Sequence, residues 1–271
     1  MTRLLIPDQV RRAADAGALF AINDSGGKDS AASGLSIQSF VPAAQQVYAH
    51  ATLAESEWPG ALEQARTHAE HAGAPFLVVQ AKKTFLEMVE HRFQTRPSVP
   101  SWPSPAMRTC TSTLKRDPLQ GAIKRYAKAH GFTTVVNVMG LRAQESQRRA
   151  AKETCVVSER DSIRPRVFEN GNTRPGRTWL EFLPIHHLRT EEVFGAIAEA
   201  GLAPHYAYSL GNERVSCCLC HMSCLSDLRN GARHNGRVYQ KYARLERKTG
   251  WTFSPSQKSL PELTGIPVDS D

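Results

Sequence analysis

The sequence predicts an α/β protein: a doubly wound, mostly parallel five-stranded sheet followed by a small helical C-terminal extension. Three observations point there. Short apolar runs recur along the chain, segments of helical periodicity separate them, and a glycine-rich turn joins the first run to the segment behind it.

The runs are Ala18–Ile22, Gln46–Ala49, Phe76–Val79, Thr134–Met139 and Leu180–Ile185, each short enough to be a strand buried on both faces of a parallel sheet. Between them, Pro59–Ala72 repeats Leu62, Ala65, Ala69 and Ala72 at helical spacing, and Leu114–His130 does so with Leu119, Ile123, Tyr126 and Ala127. Arg96–Pro105 holds four prolines and predicts an extended loop. Arg160–Arg177 is polar, Arg-rich and broken by Pro165, Gly171, Pro175 and Gly176. Both are candidate substrate-covering loops or plain solvated ones. The expected organisation is a nucleotide-binding domain over residues 1–225, ending in a cysteine cluster, and a basic extension over 226–271.

At 271 residues with 41% hydrophobic composition, the chain can bury one substantial core. It has no apolar run long enough to span a bilayer, and Met1–Pro7 is too short for a signal-peptide core, so the expectation is a soluble, cytoplasmic protein without a membrane partner. The formal charge of +8 favours a polyanionic partner, a nucleotide or a nucleic acid. Four of the six cysteines crowd between Cys217 and Cys224, a spacing more typical of metal binding than of disulfides in such a setting.

In Phe20–Ala32 a strand leads through Ser25-Gly26-Gly27-Lys28-Asp29-Ser30 into a helix. Glycines let backbone approach a ligand closely, and a helix start offers free N–H groups and positive dipole, so this is an anion site suited to phosphate. The spacing is not that of the common G-x-x-x-x-G-K-[ST] loop.

Ser25–Ser30 instead resembles the Ser-Gly-Gly-x-Asp-Ser signature of the PP-loop ATP pyrophosphatase superfamily, and further blocks are similar to its phosphoadenosine phosphosulfate (PAPS) reductase-like branch. These are Tyr48–Ala51 with Glu55–Pro59; Arg108-Thr109-Cys110 with Lys115 and Pro118; Gly140–Arg149; and Pro184–Leu188 with Thr190–Phe194 and Pro204–Tyr208. The resemblance implies the adenine nucleotide α-hydrolase-like, Rossmann-like fold and an enzyme, a nucleotide-dependent transferase or oxidoreductase of sulfur metabolism.

It further implies that ATP or a PAPS-like adenine nucleotide with Mg2+ is held by Ser25, Gly26, Gly27, Lys28, Asp29 and Ser30, with Glu57, Lys115, Gly140, Arg142 and Glu145 contributing. Lys28, Asp29, Arg142 and Arg148 are the candidate catalytic residues. Arg142, Glu145 and Arg148, three apart, are expected to share a helical face, as an ion-pair row or as a clamp on phosphate or sulfate.

Cys217-x-x-Cys220 lets two thiolates meet one centre, and Cys224 can follow as a third. The resemblance makes Cys110 the fourth ligand and a 4Fe-4S cluster the expected cofactor. Zinc and redox-active thiols stay open on sulfur ligation alone. Assimilatory PAPS reductases carry a redox-active cysteine in a Glu-Cys-Gly-Ile-His tail, whereas no cysteine follows Cys224 here.

Asn230-Gly231 and Asn235-Gly236 read as turns. Beyond them, Arg237–Lys248 fits one amphipathic helix with Val238, Tyr242 and Leu245 on the apolar side and Arg237, Lys241, Arg244 and Lys248 on another. That stripe suits a nucleic-acid backbone or a solvated face. Candidate partners are therefore the adenine nucleotide, nucleic acid through this helix, and a thiol or sulfur donor protein.

Overall fold

A computed structural model describes residues 5–169 and 171–269; of the N-terminal stretch read above, residues 1–4 lie outside them. The strands are β1 (Leu19–Asn23), β2 (Gln46–Thr52), β3 (Phe76–Gln80), β4 (Thr134–Val138), β5 (Cys155–Val157), β6 (Arg166–Val167), β7 (Thr173–Arg174) and β8 (Thr178–Phe182). The helices are α1 (Asp8–Asp15), α2 (Lys28–Gln38), α3 (Ala61–His71), α4 (Phe85–Thr95), α5 (Asp117–Ala129), α6 (Gln147–Ala150), α7 (Thr190–Glu199), α8 (Leu225–His234), α9 (Gly236–Thr249) and α10 (Leu260–Thr264).

The main sheet runs β3-β2-β1-β4-β8-β5, with β1 parallel to β2 and β4, and β4 parallel to β8. The order reverses direction at β1, so ligands of such a sheet are expected outside the carboxyl ends of β1 and β4. The five expected strands are all present. A sixth, β5, pairs antiparallel with β8. Its three residues are too few to announce themselves by periodicity, and Cys155 starts it half-buried.

The chain divides into two compact units. The first comprises Met1–His50, Glu63–Val78 and Leu119–Pro204; the second comprises Ala51–Leu62, Val79–Pro118 and His205–Asp271. This partition differs from a linear boundary at residue 225. The second core draws Leu53 and Trp58, then Phe85, Trp102 and Leu114, then Val215, Tyr239, Tyr242 and Phe253 from distant stretches, which composition along the chain cannot register.

In the first unit, apolar side chains of the strands pack with α1 and α2: Val10, Phe20, Ile22, Ile37, Val136 and Phe182 form one cluster. In the second unit, Phe85 stacks on Tyr242 at 5.3 Å, and Trp102 meets Phe253 edge-on at 5.3 Å. The proline-rich stretch is ordered by this core, since Trp102 is buried and its indole N–H donates to the Trp251 carbonyl at 2.8 Å.

Two turn readings are revised. Asn230-Gly231 lies inside α8, where Gly231 is required by packing: a Cβ there would stand 1.8 Å from the Cys218 carbonyl oxygen. Asn235-Gly236 does mark the junction of α8 and α9.

Candidate functional site

In the first unit, β1 ends at Asn23 and Gly26 takes φ +73°, a left-handed turn that glycine adopts freely. α2 then starts at Lys28 behind Gly27, with no side chain capping it. What shapes the loop is Asp24, which sequence reading passed over. Its buried Oδ1 accepts from the Gly26 N–H at 2.8 Å and the Ser30 hydroxyl at 2.7 Å, and its Oδ2 lies 2.8 Å from His68 Nδ1. The Asp24 carbonyl meets His50 Nδ1 at 2.8 Å. The Ser30 Oγ also lies 2.9 Å from the Gly27 carbonyl oxygen and accepts from the Ser25 N–H at 3.3 Å. An acid just before the glycine pair was the only local signal for this network; its histidine partners come from β2 and α3, far along the chain.

Asp29 is held from two sides, Oδ1 by Arg142 Nε at 2.7 Å and Oδ2 by Lys28 Nζ at 3.3 Å. Both cations are nearly fully buried. Arg142 Nη1 further reaches Gln144 Oε1 at 2.8 Å and Thr190 Oγ1 at 3.1 Å, which ties the end of β4 to α2 and α7. Gly140 permits this approach, because a Cβ would lie 2.7 Å from the Asp29 carbonyl oxygen. These ties orient Asp29 within the loop.

The expected helical face of Arg142, Glu145 and Arg148 does not form. Ser146 is fully extended and caps α6, accepting from the Arg149 N–H, so the helical register breaks between Glu145 and Arg148. Glu145 pairs with Arg149 instead, and Arg148 is exposed.

Glu57, Lys115 and the cysteines belong to the second unit. Residues 56–58 pair with 216–218 through a Glu57–Cys217 bridge and a Cys218 N–H to Ser56 carbonyl bond of 3.0 Å. Cys110 precedes a π-helical segment, Thr111–Arg116, that carries Lys115 ahead of α5. π-turns often mark functional positions. Cys110, Lys115, Ser216, Cys217 and Cys220 all line a cavity of about 110 Å3. Lys115 Nζ donates to Ser216 Oγ at 2.6 Å.

A hydrogen bond from Cys220, helped by the Lys115 ammonium and Ser216, holds the Cys217 thiol well below its ordinary pKa despite burial. Donating that bond and being buried push Cys220 well up. Burial, and then the neighbouring Cys217, raise Cys110. For Lys115 burial opposes the charge, yet Cys217, Cys220, Glu57 and Cys110 together hold the ammonium above its usual range. The outcome is one thiolate on Cys217 that accepts a proton-bearing Cys220 beside a fixed cation, the arrangement of an activated nucleophile.

The four-cysteine metal set is not assembled. Cys224 is exposed at the start of α8, its sulfur 3.0 Å from Ser226 Oγ, and it does not line the cavity. Among the described residues, no group of three or more His, Cys, Asp or Glu side chains is arranged to hold a metal ion. A four-thiolate centre needs four converging sulfurs, so the donor set as folded does not fit the expected cluster.

The stripe on α9 is also engaged. Lys241 is bonded to Glu55 and Lys248 to Glu90, both within the second unit. Among the described residues no helix is long and apolar enough to cross a membrane.

The phosphoadenosine phosphosulfate reductase domain model matches residues 20–223, three quarters of the chain. The chain belongs to that family. No curated protein matches it. Among solved structures it is similar to phosphoadenylyl-sulfate reductase from Candida auris in a phosphate complex, at 16% identity over 81% of this chain and 91% of that one, TM-score 0.48. It is also similar to Candida glabrata FMN adenylyltransferase, at 10% identity over 79% of this chain and 57% of that one, TM-score 0.43. The PAPS reductase domain match spans both the Ser25–Ser30 loop of the first unit and the Cys110–Cys220 cavity of the second.

Proposed function

We propose that this PAPS reductase-family protein binds an adenine nucleotide, ATP or a sulfonucleotide, through Ser25–Ser30 and acts at one of its phosphate or sulfate groups. The observation that carries this reading is the uncapped start of α2 behind a loop whose own polar groups are already tied to buried Asp24. Backbone donors fixed in advance stabilise developing anionic charge without reorganisation. Lys28 adds charge at the same place, and Arg142 acts through Asp29 as a positioning residue. Mg2+ enters bound to the nucleotide's phosphates in this reading, since both Asp29 oxygens already face cations.

With ATP, an acceptor oxygen attacks the α-phosphate, pyrophosphate leaves, and an adenylated acceptor forms. The cysteines favour a second, reductive reading. Taking a sulfonucleotide to sulfite needs two electrons, and the Cys217–Cys220 pair supplies two on closing to a disulfide, which a thiol donor protein then reopens. No step is assigned to an iron-sulfur cluster.

The test measures both products from the full-length protein: pyrophosphate from ATP with Mg2+, and sulfite from PAPS with a dithiol. Lys28→Ala should lower whichever is found at least tenfold, and Cys217→Ser should abolish sulfite alone. Turnover unchanged in Lys28→Ala counts against the nucleotide site. Stoichiometric iron and acid-labile sulfide in anaerobically purified protein, lost in Cys217→Ala/Cys220→Ala, would replace the thiol reading with the cluster.

A further inference from the structure

The Arg-rich stretch before β8 is neither a plain loop nor a cover of irregular chain. It is a two-stranded ribbon. β6 and β7 pair antiparallel, with Arg166 opposite Arg174 and Val167 opposite Thr173, and a second bridge joins Ile163 to Arg177 at the base through two hydrogen bonds of 2.8 Å. Gly176 makes the base tight, because a Cβ there would lie 2.9 Å from Pro165 Cδ and 3.0 Å from the Ile163 carbonyl.

The base is anchored to the first unit. Arg177 donates to the Asp161 carbonyl at 3.0 Å, and the buried Asp161 carboxylate is held by Lys124 at 2.6 Å, Arg160 at 2.8 Å and Ser158 at 3.0 Å. The ribbon beyond it is exposed on both strands.

Its surface chemistry does not serve the fold. From Ile163 to Arg177 the sequence holds four arginines and one acid, Glu169. Placing Arg166 directly across from Arg174 is unfavourable in the isolated protein, since like charges facing across a strand pair repel. Val167 is 74% and Phe168 42% exposed, so the apolar side chains of the ribbon also lack a core. Arg166 lies over the Phe168 ring at 5.9 Å, which presents guanidinium and aromatic face together.

We propose that this ribbon is a docking surface for duplex DNA, with Arg166 and Arg174 on the phosphate backbone and Phe168, on the same face as Arg166, against base or sugar edges. An anionic backbone removes the Arg166–Arg174 repulsion, and the B-form major groove is wide enough for a two-stranded ribbon, whereas the deep, narrow A-form groove of RNA is not. The α9 stripe is the weaker candidate because Lys241 and Lys248 already pair with Glu55 and Glu90.

The experiment is fluorescence anisotropy of a labelled DNA duplex with the full-length protein across a salt series. Each phosphate contact contributes about 0.9 to the slope of log affinity against log salt. Arg166→Ser/Arg174→Ser should therefore make the slope shallower by about 2 and weaken binding at least tenfold. Arg166→Lys/Arg174→Lys should retain the slope, and Phe168→Ala should weaken binding with the slope unchanged. Lys241→Ala/Lys248→Ala should leave both as they are. Equal slopes in wild type and the Ser double variant would overturn the proposal, as would no salt-dependent DNA binding or tighter binding to an RNA duplex. So would loss of ATP or PAPS binding in the Ser variant with DNA binding intact, which would make the ribbon a nucleotide cover.

Discussion

The loop at Ser25–Ser30 and the cavity around Cys217 handle buried charge in opposite ways. In the loop, each ion has a geometric partner: Asp24 with His68, Asp29 with Arg142 and Lys28. No side chain caps the start of α2, so the positive end of its dipole is not offset by a capping anion. In the cavity, one ammonium on Lys115 is shared by three sulfurs and Glu57, and a hydrogen bond from Cys220, aided by that charge, holds the Cys217 thiol below its ordinary range. The first region keeps its own chemistry quiet so that a ligand can bring charge. The second keeps a reactive anion ready.

The most sensitive points of both regions are the glycines that bring backbones together. Gly231→Ala sets a Cβ 1.8 Å from the Cys218 carbonyl oxygen, so α8 or the cysteine strand must move. Backbone cannot yield as a flexible side chain does, and the expected cost is about 3 kcal/mol or more. Thermal denaturation should show a large loss of Tm together with loss of rapid Cys217 alkylation. An unchanged melt would mean that the close contact is not built as described.

A smaller effect follows from Asp29→Ala. It leaves Arg142 buried without its carboxylate, and removing one partner of a buried pair costs about 3 kcal/mol, reduced here because the Asp29 side chain keeps 20% exposure. Asp29→Asn retains an acceptor for Arg142 Nε and should recover most of the stability, while ATP binding by calorimetry stays weaker than wild type. Full recovery of binding would assign Asp29 a purely structural role.

How much of this could be read beforehand differs between the two regions for a physical reason. The loop was legible because strand, glycine pair and helix start are contiguous, so local rules suffice. Asp24 was missed because its significance depends on His50 and His68, which only the sheet brings near. Spacing alone placed Arg142, Glu145 and Arg148 on one face; the extended Ser146 breaks it, a turn that a run of polar residues does not disclose. In the cavity, Cys110, Cys217 and Cys220 line one space although Cys110 lies far away in sequence, whereas Cys224 does not line it because it starts α8 rather than continuing the cysteine turn. Lys115, expected at the nucleotide's anionic group, is found among the sulfurs.

The reactive anion itself gives the next prediction. A depressed pKa means that Cys217 is thiolate at pH values where an ordinary thiol near 8.5 is protonated. Iodoacetamide should therefore modify Cys217 of reduced protein at an almost constant rate through neutral pH and lose rate only in acid. The lowering comes first from the Cys220 hydrogen bond and then from Lys115. Cys220→Ala should thus move the midpoint upward further than Lys115→Met does. If neither variant moves it, the thiolate is not held by this pair.

The smallest effect belongs to α9. Lys241 and Lys248 sit in ion pairs whose side chains are half exposed, where solvent screening and side-chain entropy leave each pair worth no more than about 1 kcal/mol. Lys241→Ala/Lys248→Ala should change the melt by no more than a few degrees, and the change should vanish at high salt, where exposed pairs are screened. Gly231→Ala should keep its penalty at every salt concentration, because a clash is steric. That contrast matters more than either number: a basic stripe reads as a binding surface in one dimension, yet its lysines are partly spent on acids of α4 and of the segment before α3. A large, salt-resistant loss in the double lysine variant would show instead that α9 is held by these pairs and not by Tyr239, Tyr242 and Leu245 beneath it.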